Sequence, residues 1–271
     1  MSLTDRESHF EFGQNWRSYA KTIDQRRIDS AIEGIKKLFP RGLAGRTFLD
    51  IGCGSGLHSL AALSLGAGYV MGIDIDENSV STTRALLSDR AVHSNWDTKH
   101  VSIFDASTNE LGQFDVVYSW GVLHHTGDMW RAIDCATKFV NSGGQFAIAI
   151  YSATACDNIW KAEKRFYARA PRSIQWTIRQ MYITAFLTAR TLKSWESPIA
   201  YVQDYPKMRG MNFSHDAHDW LGGYPYETAT ATELHDRVCS MGFVEKRSFP
   251  LPMALGVFGS GCHEFVFQKI P

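Results

Sequence analysis

An α/β fold built on a mostly parallel sheet is the architecture this sequence predicts, and three observations predict it. Between residues 47 and 151 short apolar runs alternate with amphipathic stretches, the pattern of βα units around a parallel sheet. The chain has 271 residues and 44% hydrophobic content, enough for one large domain with a sizeable core, or one domain with a modest insertion. Near the C-terminus, FVEKRSF and EFVFQKI read as two more strands, which would bring the sheet to seven.

The elements follow in order. Residues 14 to 38 read as one or two helices, because Ile28, Ile32, Ile35 and Leu38 recur at steps of three or four. They form a helical leader, 1–46, expected to pack on the sheet edge or close over a site. The core, 47–151, holds five strand candidates: TFLDI, YVMGID, HVSIF, DVVYSW and QFAIAIY. Between them LHSLAALSLG, ENSVSTTRALLSDR and DMWRAIDCATKFV carry helical spacing, and NSGG at 141 to 144 reads as the C-cap turn of the third. From 152 to 230 the alternation stops; this insertion is rich in Trp, Tyr, Arg and His, with helical signals to about residue 193. Within it MYITAFLTA, 181–189, is too short to span a bilayer of roughly 30 Å. It reads as a buried helix, with a helix on a membrane surface the lesser alternative. Residues 231–271 supply a helix, ATELHDRVCSMGF, and the closing strands.

Composition narrows the function. The 28 basic and 28 acidic residues balance, and no run of like charge could track a phosphate backbone, so nucleic acid is not expected as a partner. Five scattered cysteines without a CxxC pair read as reduced thiols. The N-terminus lacks the basic segment and apolar core of a secretory signal, so the expected location is cytoplasmic, with no membrane span.

FLDIGCGSGLHSL, residues 48–60, carries the chemistry. Gly52, Gly54 and Gly56 at the end of the first strand permit a tight turn and close approach of a ligand to backbone. The helix starting near Leu57 offers its positive end to an anion. A dinucleotide fingerprint counted from Gly52 and Gly54 would need glycine where Leu57 stands, which weakens that reading. Asp74 ends the second strand 18 residues after Gly56, placed to accept from ribose hydroxyls of either type of cofactor. Asp105 ends the third strand candidate, where it could accept from an adenine amino group.

LDIGCGSG, GIDID, IFDAS and FDVVYSWGVLHHTGDMW stand in an order and spacing that resemble the class I S-adenosylmethionine-dependent methyltransferases of the bacterial small-molecule type. The resemblance covers residues 47 to 151 and, through two closing strands, reaches the C-terminus. It implies a seven-stranded, mostly parallel sheet of order 3-2-1-4-5-7-6 with helices on both faces, here with a helical insertion after strand 5. It implies S-adenosyl-L-methionine as cofactor and S-adenosyl-L-homocysteine as product. Asp50 and the backbone of Gly52, Cys53, Gly54 and Gly56 would take the methionine part and Asp74 the ribose. Ile75 would pack on the adenine, Phe104 and Asp105 would meet it, and Ser119 would lie beside the sulfonium. Trp16 and Tyr19 stand on the leader that the family folds over its cofactor. A zwitterionic amino acid needs an acid for its ammonium and backbone donors for its carboxylate, and one turn supplies both.

Methyl transfer is an in-line displacement in which positioning does most of the work. If the acceptor is a hydroxyl or amine, His124 or His125, just after strand 4, could take its proton; the same LHH turn could equally serve loop structure. The insertion would roof the cleft and hold a small-molecule acceptor through Arg209, His215, Tyr224 and Glu227, with Trp120 and the leader's Tyr19. HDAHD at 215–219 could bind metal, but it lacks a third ligand at recognisable spacing, and hydrogen bonds fixing a lid explain it too. The WGVLHHT turn has none of the acids that some quinone-type O-methyltransferases use, so no metal is expected. O-methylation of a small molecule is the leading expectation, before N-, C- or S-directed transfer or a non-catalytic cofactor-binding module, and a homodimer is left open.

Overall fold

A computed structural model describes residues 12–195, 197–209 and 213–271, with the side chains of 206–209 outside the described set. Seven strands form a single sheet in the order β3-β2-β1-β4-β5-β7-β6. They are β1 (Thr47–Ile51), β2 (Tyr69–Asp74), β3 (Trp96–His100), β4 (Phe114–Trp120), β5 (Val140–Tyr151), β6 (Phe243–Phe249) and β7 (Cys262–Lys269). β7 runs antiparallel to β5 and β6, and every other pairing is parallel. The central strands are apolar on both faces because helices cover both. Leu49, Val117, Phe146 and Ile148 pack toward one buried cluster, and Phe48, Val70, Val116 and Ala147 toward the other. The edge strands read differently. β3 is WDTKH and β6 is FVEKRSF, charged where they face solvent, which also discourages edge-to-edge pairing.

Helices α1 (Phe12–Ala20) and α2 (Gln25–Leu38) precede the sheet. Asp24 caps α2 by accepting from the Arg27 N–H, and Ile28, Ile35 and Leu38 are its buried face. α3 (Leu57–Ser64), α4 (Glu77–Arg90), the short α5 (Thr108–Leu111) and α6 (Met129–Thr137) connect the parallel strands. The insertion is α7 (Asp157–Arg169), α8 (Arg172–Ser194), α9 (Pro198–Arg209) and α10 (Phe213–Gly222). α11 (Ala231–Cys239) begins with a reciprocal Thr230/Glu233 capping box and leads into β6.

Four sequence expectations are corrected. HVSIF is not the third strand: pairing with β2 ends at His100, and 101–104 turn away, with Ile103 plugging the core. The actual strand is polar because it lies at the sheet edge. NSGG does not cap a helix: α6 ends at Thr137, and 141–144 are an irregular part of β5, where Gly143 adopts φ +72° and the pairing jumps from Phe114/Val140 to Val116/Gln145. Helix continues past residue 193, through α9 and α10. Finally, 181–189 is not a buried helix, since no residue of α8 is buried. Among the described residues no helix is long and apolar enough to cross a membrane.

Candidate active site

The glycine turn joins β1 to α3, and its three glycines have φ of +76°, +53° and +79°, values that a side chain would strain. Each is also a point of close approach. A Cβ on Gly52 would lie 2.5 Å from Val122 Cγ1, one on Gly54 3.3 Å from the Trp16 ring, and one on Gly56 2.9 Å from Thr83 Cα. The turn after β4, the leader helix α1 and helix α4 therefore converge on this loop.

Two acids brace it. Asp74 Oδ2 accepts from the Gly54 N–H at 3.1 Å and Oδ1 from the Asp76 N–H at 2.9 Å. Asp50 Oδ2 accepts from Ser59 Oγ at 2.6 Å on α3. Burial pushes Asp50 up to about 7, against the Ser59 hydrogen bond and with the charge of Asp74 adding to the rise. Asp74 is pushed up to about 6, also by burial, with its two backbone donors opposing. Neither has an ion-pair partner among the described residues. Such a pair of carboxylates short of positive charge suits a ligand that brings a cation and hydroxyl donors.

The remaining predicted cofactor contacts surround this turn. Asp76 caps α4 and also accepts from the Gly13 N–H at 3.2 Å, which ties α1 across the mouth. Ile75 is held by its carbonyl, 2.8 Å from His100 Nε2. Cys53 is buried, and its thiol is pushed up by that burial. Phe104 lies under the Arg131 guanidinium at 4.7 Å, and Asp105 is exposed in the same turn. Ser119 is buried, its hydroxyl donating to the Ile51 carbonyl.

The two histidines after β4 part company. His124 is fully buried, and its Nδ1 accepts from the Tyr151 N–H at 3.3 Å, which puts the proton on a buried, unpartnered Nε2. Burial, and then the charges of His125 and Lys164, hold its pKa well below the ordinary imidazole value. His125 Nδ1 instead faces the Pro225 carbonyl at 2.7 Å. A carbonyl only accepts, so Nδ1 carries the proton and Nε2 the lone pair. That Nε2 lies 3.2 Å from where a Cβ on Gly223 would stand. The GGYP turn of the insertion thus sets both the tautomer and the space around it.

Other predicted acceptor contacts are spread more widely. Tyr19 is buried in the core beside Trp16, with its pKa raised to about 12 by burial. His215 Nε2 meets Ser18 Oγ at 3.3 Å on α1. Trp120 stacks on Tyr118, centroids 5.5 Å apart. Tyr224 is half-buried, and the Arg209 side chain lies outside the described residues. Glu227 accepts from the Met129 N–H at 3.0 Å and so braces the start of α6. In HDAHD, His215 turns to Ser18 and Asp219 to Asn15, both on α1, Asp216 to Tyr205 on α9, and His218 to Tyr167 on α7. No metal-binding group of three such side chains occurs among the described residues.

Sequence reasoning missed Asn15, Val122 and Lys164. Asn15 Nδ2 donates to Asp219 at 2.5 Å and joins the leader to the insertion. Lys164 is buried, donates to the Trp220 carbonyl and stands 3.7 Å over the Trp220 ring. Nothing local marks either one: their partners are 204 and 56 residues away.

A family model described as a methyltransferase domain matches residues 49–146. The ubiquinone biosynthesis O-methyltransferase of Aromatoleum aromaticum is 34% identical over 104 residues, which are 38% of this chain and 43% of that one. The ribosomal protein L11 methyltransferase of Neisseria gonorrhoeae is 45% identical over 73 residues, 27% of this chain and 22% of that one. The chain spans less than half the length of these curated relatives. In fold it is similar to the crystal structure of magnesium protoporphyrin IX methyltransferase from Synechocystis PCC 6803 with bound SAH, with a TM-score of 0.53 at 14% identity, over 89% of this chain and 81% of that one. Residues 49–146 thus match a methyltransferase domain, and they lie in a sheet of order 3-2-1-4-5-7-6.

Proposed function

We propose that this protein is an enzyme that moves the methyl group of S-adenosyl-L-methionine to a hydroxyl of a small-molecule acceptor. The observation that carries the reading is the glycine turn braced by Asp50 and Asp74, two carboxylates with raised pKa and no cationic partner among the described residues. Asp50 would hold the ammonium of the cofactor, the turn's backbone its carboxylate, and Asp74 the ribose hydroxyls. Ile75, Phe104 and Asp105 would border the adenine, and Trp16 would cover the turn. When bound, the cofactor supplies an electrophilic methyl carbon on a sulfonium.

His125 suits the remaining task. Its Nδ1–H is fixed on the Pro225 carbonyl, so Nε2 can take the hydroxyl proton as the acceptor oxygen forms its bond to carbon and the carbon–sulfur bond breaks. His124, held neutral with its proton on Nε2, would act as a packing partner that accepts from the Tyr151 N–H through Nδ1. The leader and the insertion would close over the acceptor and exclude water. The O-methyltransferase named among the relatives supports an oxygen acceptor, and transfer to an amine is the alternative outcome of the test.

The experiment is calorimetric titration with S-adenosylmethionine and with NADH, followed by mass spectrometry of products from paired phenol and amine acceptors. Binding of S-adenosylmethionine alone, with products 14 Da heavier on oxygen, is expected. NADH binding without S-adenosylmethionine binding refutes the cofactor, and methylated amines alone refute the oxygen acceptor.

A further inference from the structure

We propose that the exposed face of α8, together with the 251–258 loop, docks on an anionic lipid surface, an inference that does not rest on the catalytic reading.

The helix is unusual for its length. Over 23 residues, roughly 35 Å of helix, it has no buried residue. Ile174, Thr177, Met181, Thr184, Thr188 and Leu192 follow one another at steps of three and four, so they line one face, and all six are exposed. No charge interrupts that stripe. Met181 is 67% exposed and Leu192 75%, while Trp176 and Trp195 stand near its two ends at 58% and 91%. A water-facing stripe would normally carry the charged residues of an amphipathic helix.

The apolar surface continues into the loop before β7. The Tyr182 hydroxyl donates to the Phe258 carbonyl at 2.8 Å, and the Phe186 and Phe258 rings are 5.7 Å apart, which holds the loop against α8. Met253, Leu255 and Val257 on this loop are all exposed. On the α9 side of the stripe, Thr184, Leu187, Thr188, Thr191, Leu192 and Pro198 line an open groove of about 350 Å³. Leu187, Leu192, Pro198 and the threonine methyl groups make its surface mostly apolar.

Charge selects the occupant. The chain as a whole is neutral, but residues 161 to 193 carry eight basic residues against Glu163 alone. Lys161, Arg165, Arg169, Arg172 and Lys193 are exposed, the last two at the ends of α8. An exposed stripe of Ile174, Met181 and Leu192 with threonines between them, on a segment whose charges are mostly basic, is suited to lie in the plane of an anionic bilayer. A second copy is disfavoured because two such faces would bring like charges together.

The test is flotation of the full chain with vesicles of phosphatidylglycerol and phosphatidylcholine, and with phosphatidylcholine alone. Binding to the anionic vesicles only, falling as salt rises, is expected. Met181→Asp/Leu192→Asp and Arg165→Glu/Lys193→Glu should each weaken it about tenfold or more, with S-adenosylmethionine affinity and melting temperature unchanged. Wild-type protein that stays unbound, or variants that float as well as wild type, overturn the proposal. So does a dimer in sedimentation that Met181→Asp/Leu192→Asp dissolves, or retention on polyglutamate without retention on vesicles. The first would assign the face to a second copy, the second to an acidic protein.

Discussion

Asp50 and His125 show how single residues are set by their surroundings. Because burial raises Asp50 to about 7, the folded chain without cofactor keeps a proton there that the unfolded chain has already released. Stability should therefore fall as pH rises from the ordinary carboxylate range to about 7, and Asp74 acts with the same sign to about 6. An ammonium beside Asp50 reverses the preference. Cofactor affinity should rise between about pH 6 and pH 8, with proton release at the lower value, measured by calorimetry in buffers of different ionisation heat. Asp50→Asn should abolish the release, and release unchanged in that variant would remove Asp50 from the role. For His125, replacement by Ala should lower turnover about 100-fold or more while leaving cofactor affinity intact. Equal turnover would leave the Pro225 contact as a loop tie only. Asp50, Asp74 and the glycines were legible because they sit at fixed offsets from strand ends. The difference between His124 and His125 was not, because it depends on Tyr151 and Pro225, which arrive from later in the chain.

At the scale of elements, α1 and α10 are tied to each other outside the sheet. Asn15 on α1 donates to Asp219 on α10, and burial raises Asp219 to about 8. Near neutral pH that carboxyl is largely protonated, so its hydrogen-bonding oxygen matters more than its charge. Asp219→Asn should accordingly keep nearly full stability and cofactor affinity. Asp219→Ala should cost about 1–3 kcal/mol in thermal or urea unfolding, because the Asn15 amide is left unpaired. A large loss in Asp219→Asn would mean the charge itself is needed. Periodicity placed α2, α3, α4 and α11 well, since each buries one stripe against the sheet. It failed at β3, where an edge strand has little apolar face to show, and at NSGG, where glycines serve an irregular strand rather than a turn.

Over the whole molecule, the strand that comes last in sequence lies inside the sheet, between β5 and β6. Phe265, Val266 and Phe267 are buried there and join both core clusters. Truncation after Ser260 should therefore abolish cooperative unfolding, measured by circular dichroism, rather than trim a dispensable tail. A truncated chain that still melted cooperatively would show that β1 to β5 form a sufficient core. The sequence by itself determined the α/β class, the glycine turn, the acids at the ends of β1 and β2, and the resemblance to a methyltransferase domain, because alternation and short-range spacing are local properties of the chain. Only the tertiary structure decided which histidine can accept a proton, that Trp16 and Asn15 reach the glycine turn and the insertion, and that α8 faces outward. Those depend on contacts between residues far apart in sequence, and an apolar run such as MYITAFLTA reads the same whether its neighbours cover it or leave it exposed.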